Sequence, residues 1–125
     1  MTREHDAVTY VVNTSDEFDR WWATCSESLQ DAIAAHVGLL ERVGPHLGRP
    51  YADTLSGSTI SNVKELRVQH RGQPYRILYA FDPKREALLL VAGMKADGKR
   101  WYGRALRTTE RIGERHLEQL EERDG

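Results

Sequence analysis

The chain has 125 residues, 39% hydrophobic and 30% charged, a composition that suits one water-soluble domain and excludes a membrane protein. Its single cysteine, Cys25, excludes an internal disulfide, and no Cys/His set carries zinc-ligand spacing. The net charge of −1 hides an uneven distribution: residues 64 to 107 hold eleven Lys and Arg against four acids (Glu65, Asp82, Glu86 and Asp97), a net +7, between flanks of −5 and −3.

The start, "MTREHDAVTY", lacks the apolar run of a signal peptide, and nowhere do roughly 18 apolar residues follow one another as a membrane helix needs. The sequence therefore points to the cytoplasm. "AVTYVV" (7 to 12) predicts a first strand. Thr14 and Glu17 fit a capping box, and Phe18, Trp21, Trp22, Cys25 and Leu29 recur at helical spacing, followed by Ile33, Val37 and Leu40. Two helices, or one kinked near Ser26, are expected over 15 to 43, ended by Gly44 and Pro45. Cys25 in this apolar stripe reads as a packed thiol and not a nucleophile. Residues 51 to 62, "YADTLSGSTISN", read as a polar loop.

Three strands follow, roughly 63 to 69, 75 to 82 and 86 to 94, the last two joined by "DPKR", where Pro83 suits the second position of a type I turn. Beyond "KADGK", Trp101, Ala105, Leu106, Ile112, Leu117 and Leu120 mark a charged C-terminal helix. The expected fold is α+β in a single domain, 1–125. It has a small antiparallel sheet with a mixed edge, N-terminal helices on one face, and a C-terminal helix.

If the hairpin loop is His70 to Gln73, Gln69 pairs with Pro74 and Arg67 stands directly opposite Arg76. Leu66, Val68, Tyr75, Ile77, Tyr79 and Phe81 then share the other face, apolar enough to pack against the N-terminal helices. Carried through the "DPKR" turn, the pairing sets Val91 beside Arg76 and puts Gly93 and Lys95 on the arginine face, so that three cations converge. Like charges placed opposite one another cost up to about 1 kcal/mol, so something should relieve them. A phosphate would, since arginine offers it planar, bidentate hydrogen bonds; an ordinary salt bridge to Glu65 or Asp97 would also serve. On the phosphate reading, Arg76→Ala should leave stability unchanged or raised, within about 0.5 kcal/mol.

"KELR", "YRILYAFDP" and "KRWY", in that order and followed by "HLEQLEER", resemble the RelE/ParE toxin superfamily, especially its HigB-like, phage-derived (Gp49-like) branch. The resemblance covers residues 63 to 122 well and the N-terminal helices in outline. It implies a RelE-like fold and a toxin of a type II toxin-antitoxin system: a ribosome-dependent mRNA endonuclease, neutralised by a cognate helix-turn-helix antitoxin and needing neither metal nor cofactor. A ParE-like gyrase poison and a non-catalytic antitoxin-binding module are the alternatives. Partners would be the antitoxin, the ribosome and mRNA, with no membrane.

The resemblance also assigns roles. Arg76 would stabilise the transition-state phosphate, Arg67 would hold phosphate, Lys95 would act as general acid or further phosphate ligand, and Tyr102 would stack on a base or assist proton transfer. His70, Arg71, Lys99 and Arg100 would bind RNA. The chain departs from its relatives in two places: Val63 and Glu65 stand where they often carry lysines, which leaves the general base open, with His70 as one candidate, and Met94 stands where they tend to be polar or acidic. Trp101 reads as core, and His116 as structural or exposed.

Overall fold

A computed structural model of the protein describes residues 9–56, 62–96 and 98–124, without the side chains of residues 117, 120, 121, 123 and 124. The five strands form one sheet in the order β1-β5-β4-β3-β2. β1 (Val12–Thr14) runs parallel to β5 (Ala87–Met94), and the remaining neighbours are antiparallel. The first strand thus forms the mixed edge, but over Val12–Thr14 and not 7 to 12, because those residues reach Ala87–Leu89. Residues 7 and 8 of the expected strand lie outside the described residues.

Helix α1 (Asp16–Thr24) starts one residue later than its capping signal implied. Thr14 is held in the ladder opposite Leu89, so Ser15 caps instead, its Oγ accepting the Phe18 N–H at 2.9 Å. The helix stops at Cys25, and Ser26 caps α2 (Glu27–Val43) by accepting the Leu29 N–H at 3.2 Å. This is the break expected near Ser26. Gly44, with φ of 70°, terminates α2 in a conformation that glycine tolerates best.

The segment expected to be entirely loop contains a short edge strand, β2 (Ala52–Thr54), paired with Lys64–Leu66. Three residues are too few for alternation to show. The hairpin of β3 (Lys64–His70) and β4 (Gln73–Phe81) has the predicted register, Gln69 opposite Pro74 and Arg67 opposite Arg76. Its tight turn is Arg71-Gly72, with φ of 51° and 77°, the left-handed pair that a two-residue hairpin requires.

The β4–β5 register departs from expectation: Gly93, not Val91, pairs with Arg76. Two one-residue shifts explain this. The Arg85 N–H bonds back to the Asp82 carbonyl at 2.8 Å, with Pro83 in second position, and Arg85 then adopts φ of 64°. The turn therefore has three residues where the expectation allowed two. A bulge follows, since Leu78 pairs with Val91 but Tyr79 with Leu89, leaving Leu90 as the extra residue. The shifts add to two, so Gly93 stays on the arginine face.

On one face Leu66, Val68, Ile77, Tyr79 and Leu89 meet Phe18, Leu29, Ile33 and Leu40 from α1 and α2. Burying each aliphatic chain of this size contributes about 1.5–3 kcal/mol. On the other face, α3 (Lys99–Asp124) lays Ala105 against Val63 and Leu78, and Ile112 against Leu88 and Leu90.

Candidate phosphate-binding site

The face under α3 is apolar at one end and ionic at the other. Alternation along β3 puts Glu65 and Arg67 on this face, and the hairpin register adds Arg76 opposite Arg67. Glu65 is only 3% exposed and is the hub. The Arg67 Nε donates to Glu65 Oε2 at 3.0 Å, the Arg76 Nε stands 3.5 Å from Glu65 Oε1, and the Tyr102 hydroxyl donates to the same Oε1. Arg67 also reaches Asp53 Oδ2 at 3.3 Å, which in turn accepts from the Arg49 Nε at 3.0 Å.

Glu65 therefore relieves the like-charge pair, as the salt-bridge alternative held. The expectation that removing Arg76 leaves stability unchanged is revised for that reason: its partner carboxylate would stay buried. The Arg76 Nη1 donates to the Tyr75 carbonyl at 3.0 Å, while its Nε is buried without a hydrogen-bond partner among the described residues. Its 3.5 Å approach to Glu65 is Coulombic and too poorly aligned for a hydrogen bond.

Tyr102 reaches the cluster from the first turn of α3. Burial raises its phenol to about 12, helped by the Glu65 carboxylate and opposed by Arg76, so it keeps its proton at neutral pH. Asp53 is held below the usual carboxylate range, first by the hydrogen bond from Arg49 and then by the Thr54 N–H.

The other expected residues sit at varying distances from this hub. Lys95, just past β5, places its Nζ 5.8 Å from the Tyr102 ring centroid, so it joins the cluster through that ring. Arg71 is exposed in the hairpin turn, and Lys99 and Arg100 are exposed at the start of α3. His70 is not brought in. It points to the opposite face, where its Nε2 lies 3.1 Å from the Ser28 hydroxyl, which removes it as a general base for chemistry at the arginines. Asp97 lies outside the described residues.

Trp101 packs against the Val63–Leu78–Ala105 core as expected and covers Gly93, where a Cβ would come within 2.7 Å of the indole nitrogen. Cys25 is half-buried, its thiol raised by burial. His116 bonds Asp82 at 3.1 Å across a hollow of about 570 Å³, also lined by Asn13 and Glu86. That hollow holds none of the arginine cluster, and the convergent cations are the better guide to chemistry. Among the described residues, no three His, Cys, Asp or Glu side chains gather to bind a metal ion, and no helix is long and apolar enough to cross a membrane.

Two participants escape sequence reasoning. Glu65 enters it as a salt-bridge partner but not as the centre of the site, although an acid two residues before a strand arginine shares its face. Asp53 is hidden because β2 reads as loop.

A mixed sheet with two N-terminal helices on one face and a long C-terminal helix on the other is the RelE-like architecture. The structure matches that of a double arginine-to-alanine variant of E. coli toxin RelE in the free state with a TM-score of 0.57, covering 79% of this chain and 96% of RelE at 12% identity, a likeness of fold. The chain belongs to the family described as phage-derived protein Gp49-like, which its residues 20–113 match. It is 44% identical over 87 residues to the candidate toxin HigB3 of Mycobacterium tuberculosis, covering 69% of this chain and 75% of that protein. With the candidate toxin HigB2 of the same organism it shares 36% identity over 109 residues, 86% of this chain but 54% of the relative, so it spans about half the length of HigB2.

Proposed function

We propose that the protein is the toxin of a type II toxin-antitoxin pair, a ribosome-dependent endonuclease that cuts mRNA and is neutralised by a cognate helix-turn-helix antitoxin. One observation carries this reading: Arg67, Arg76 and the protonated Tyr102 converge on a single buried carboxylate, a charge and shape that a phosphodiester can replace. The similarity to candidate HigB toxins supports it.

In the reaction, substrate phosphate displaces Glu65 from the guanidinium groups, with Lys95 as a further phosphate ligand and Arg71, Lys99 and Arg100 along the flanking RNA backbone. The released Glu65 takes the proton of the ribose 2′-hydroxyl and supplies the base that the sequence left open. The 2′-oxygen bonds to phosphorus as the bond to the 5′-oxygen breaks. Arg76 stabilises the added negative charge. Tyr102 gives its proton to the departing oxygen, since a phenol at about 12 is still more acidic than an alcohol. The antitoxin inhibits by presenting acidic groups to the same cations.

Induction in a bacterium, with translation, mRNA ends and chromosome integrity followed together, tests the reading. Translation arrest with new mRNA ends is expected, and Arg76→Lys, which keeps the charge but loses the bidentate fork, should abolish it in folded protein. Intact mRNA with double-strand DNA breaks would establish a gyrase poison instead. Antitoxin binding without either effect would leave a non-catalytic module.

A further inference from the structure

The strongest charge pattern outside the site lies on the outer side of α3. Arg100, Arg104, Arg107, Arg111 and Arg115 recur every three or four residues, and all five are exposed. At 100° per residue they fall within one narrow stripe, on the side away from Ala105, Thr109 and Ile112, which are buried against the sheet. Arg115 is paired with Glu17 of α1 at 3.5 Å. Arg100, Arg107 and Arg111 have no ion-pair partner among the described residues. On the same stripe the last turns become acidic, with Glu118 and Glu122, so the basic stretch has a defined end.

We infer that this stripe is a docking rail for the sugar-phosphate backbone of double-helical RNA, running from Arg100 at the margin of the cleavage site to Arg111 beyond it. From Arg100 to Arg111 it is roughly 17 Å long at 1.5 Å per residue, with a cation about every 5–6 Å, a spacing close to that of successive phosphates. Every member is arginine, the cation suited to phosphate. Binding of single strands relies on aromatic stacking platforms, but the aromatic residues of α3, Trp101 and Tyr102, pack toward the sheet. The rail therefore reads backbone and not bases. It begins in the same helical turn as Tyr102, so an RNA duplex seated on it runs away from the cleavage site and leaves that end for the strand being cut. The choice of RNA as the polyanion rests on the nuclease reading above.

The test uses a 16-base-pair RNA duplex of mixed sequence, purified ribosomes, and the double variant Arg107→Gln/Arg111→Gln. Both positions are exposed, so the variant should keep the wild-type melting temperature. Its affinity for the duplex should fall about tenfold or more, and the slope of log affinity against log salt should drop by about 2, one for each phosphate that the variant no longer neutralises. Ribosome co-sedimentation should weaken in parallel. Unchanged duplex affinity overturns the proposal, and so does loss of antitoxin binding with duplex affinity intact, which would make the stripe a surface for an acidic protein. Arg76→Lys separates the two readings: unaltered duplex binding with killing abolished upholds the rail, and wild-type protein that binds duplex yet never cuts mRNA upholds the rail while the nuclease reading falls.

Discussion

The two faces of the sheet are built from the same strands but solve different problems. Toward α1 and α2, Leu66, Val68, Ile77, Tyr79 and Leu89 form an apolar surface, and Ile33, Leu40, Leu66 and Ile77 are fully buried. Toward α3, Leu78, Leu88 and Leu90 are likewise covered, but Glu65, Arg67 and Arg76 occupy the other end, where the two arginines approach the one carboxylate. A wholly apolar face maximises stability. On the nuclease reading, a face that gives part of its length to charge keeps a site for substrate phosphate, with some loss of folding free energy.

The contrast is broken most severely by cutting into the apolar face. Ile77→Ala should cost about 2–5 kcal/mol in urea unfolding, and its activity loss should follow the loss of folded protein. On the ionic face, Glu65→Ala should cost about 2–3 kcal/mol, because it leaves two guanidinium groups facing each other; this is less than a fully buried pair would cost, since Arg67 remains 35% exposed. Arg76→Ala should cost less again, about 1–2 kcal/mol, yet reduce cleavage about 100- to 1000-fold. Comparing its melting temperature with the mRNA-end assay separates the two effects.

A pH titration gives the smallest and most local effect. Tyr102 and Tyr79 both have phenols raised from 10 to about 12, so the folded state favours their protonated forms. The associated stability is complete below pH 10 and is lost as the pH rises through about 12. Absorbance of tyrosinate should show a late-titrating step in this window, and Tyr102→Phe should remove part of it. A Tyr102→Phe protein with the full late step would place that phenol outside the buried cluster.

The sequence disclosed what local chemistry dictates. The Arg71-Gly72 turn set the hairpin register, and with it the Arg67–Arg76 pairing. The Thr14–Glu17 capping signal, the break near Ser26 and Gly44 placed the helix ends to within a residue. The rest depended on partners distant in sequence. β1 and β2 are three residues each and owe their existence to β5 and β3, and Lys95 falls beside Tyr102 only because α3 turns back over the sheet. His70, one residue beyond Gln69 on a strand, was bound to face the opposite way, and strict alternation alone would have removed it from the arginine side.

The paired slips between β4 and β5 have a consequence for how this chain can vary in length. Strand faces follow an odd-even rule, so a slip of β5 by one residue along β4 toward a two-residue turn, with the bulge at Leu90 kept, would turn the whole of β5 over. Ala92 would then meet the Trp101 indole where only Gly93 fits, and Gly93 would leave a gap in the core beneath α2. The turn sets the faces of Ala87–Leu89 and the bulge resets those of Val91–Met94, so each half of β5 has its own register lock. A change of length in this connection is therefore tolerated where the turn or the bulge absorbs it, and not where it slides β5 along β4.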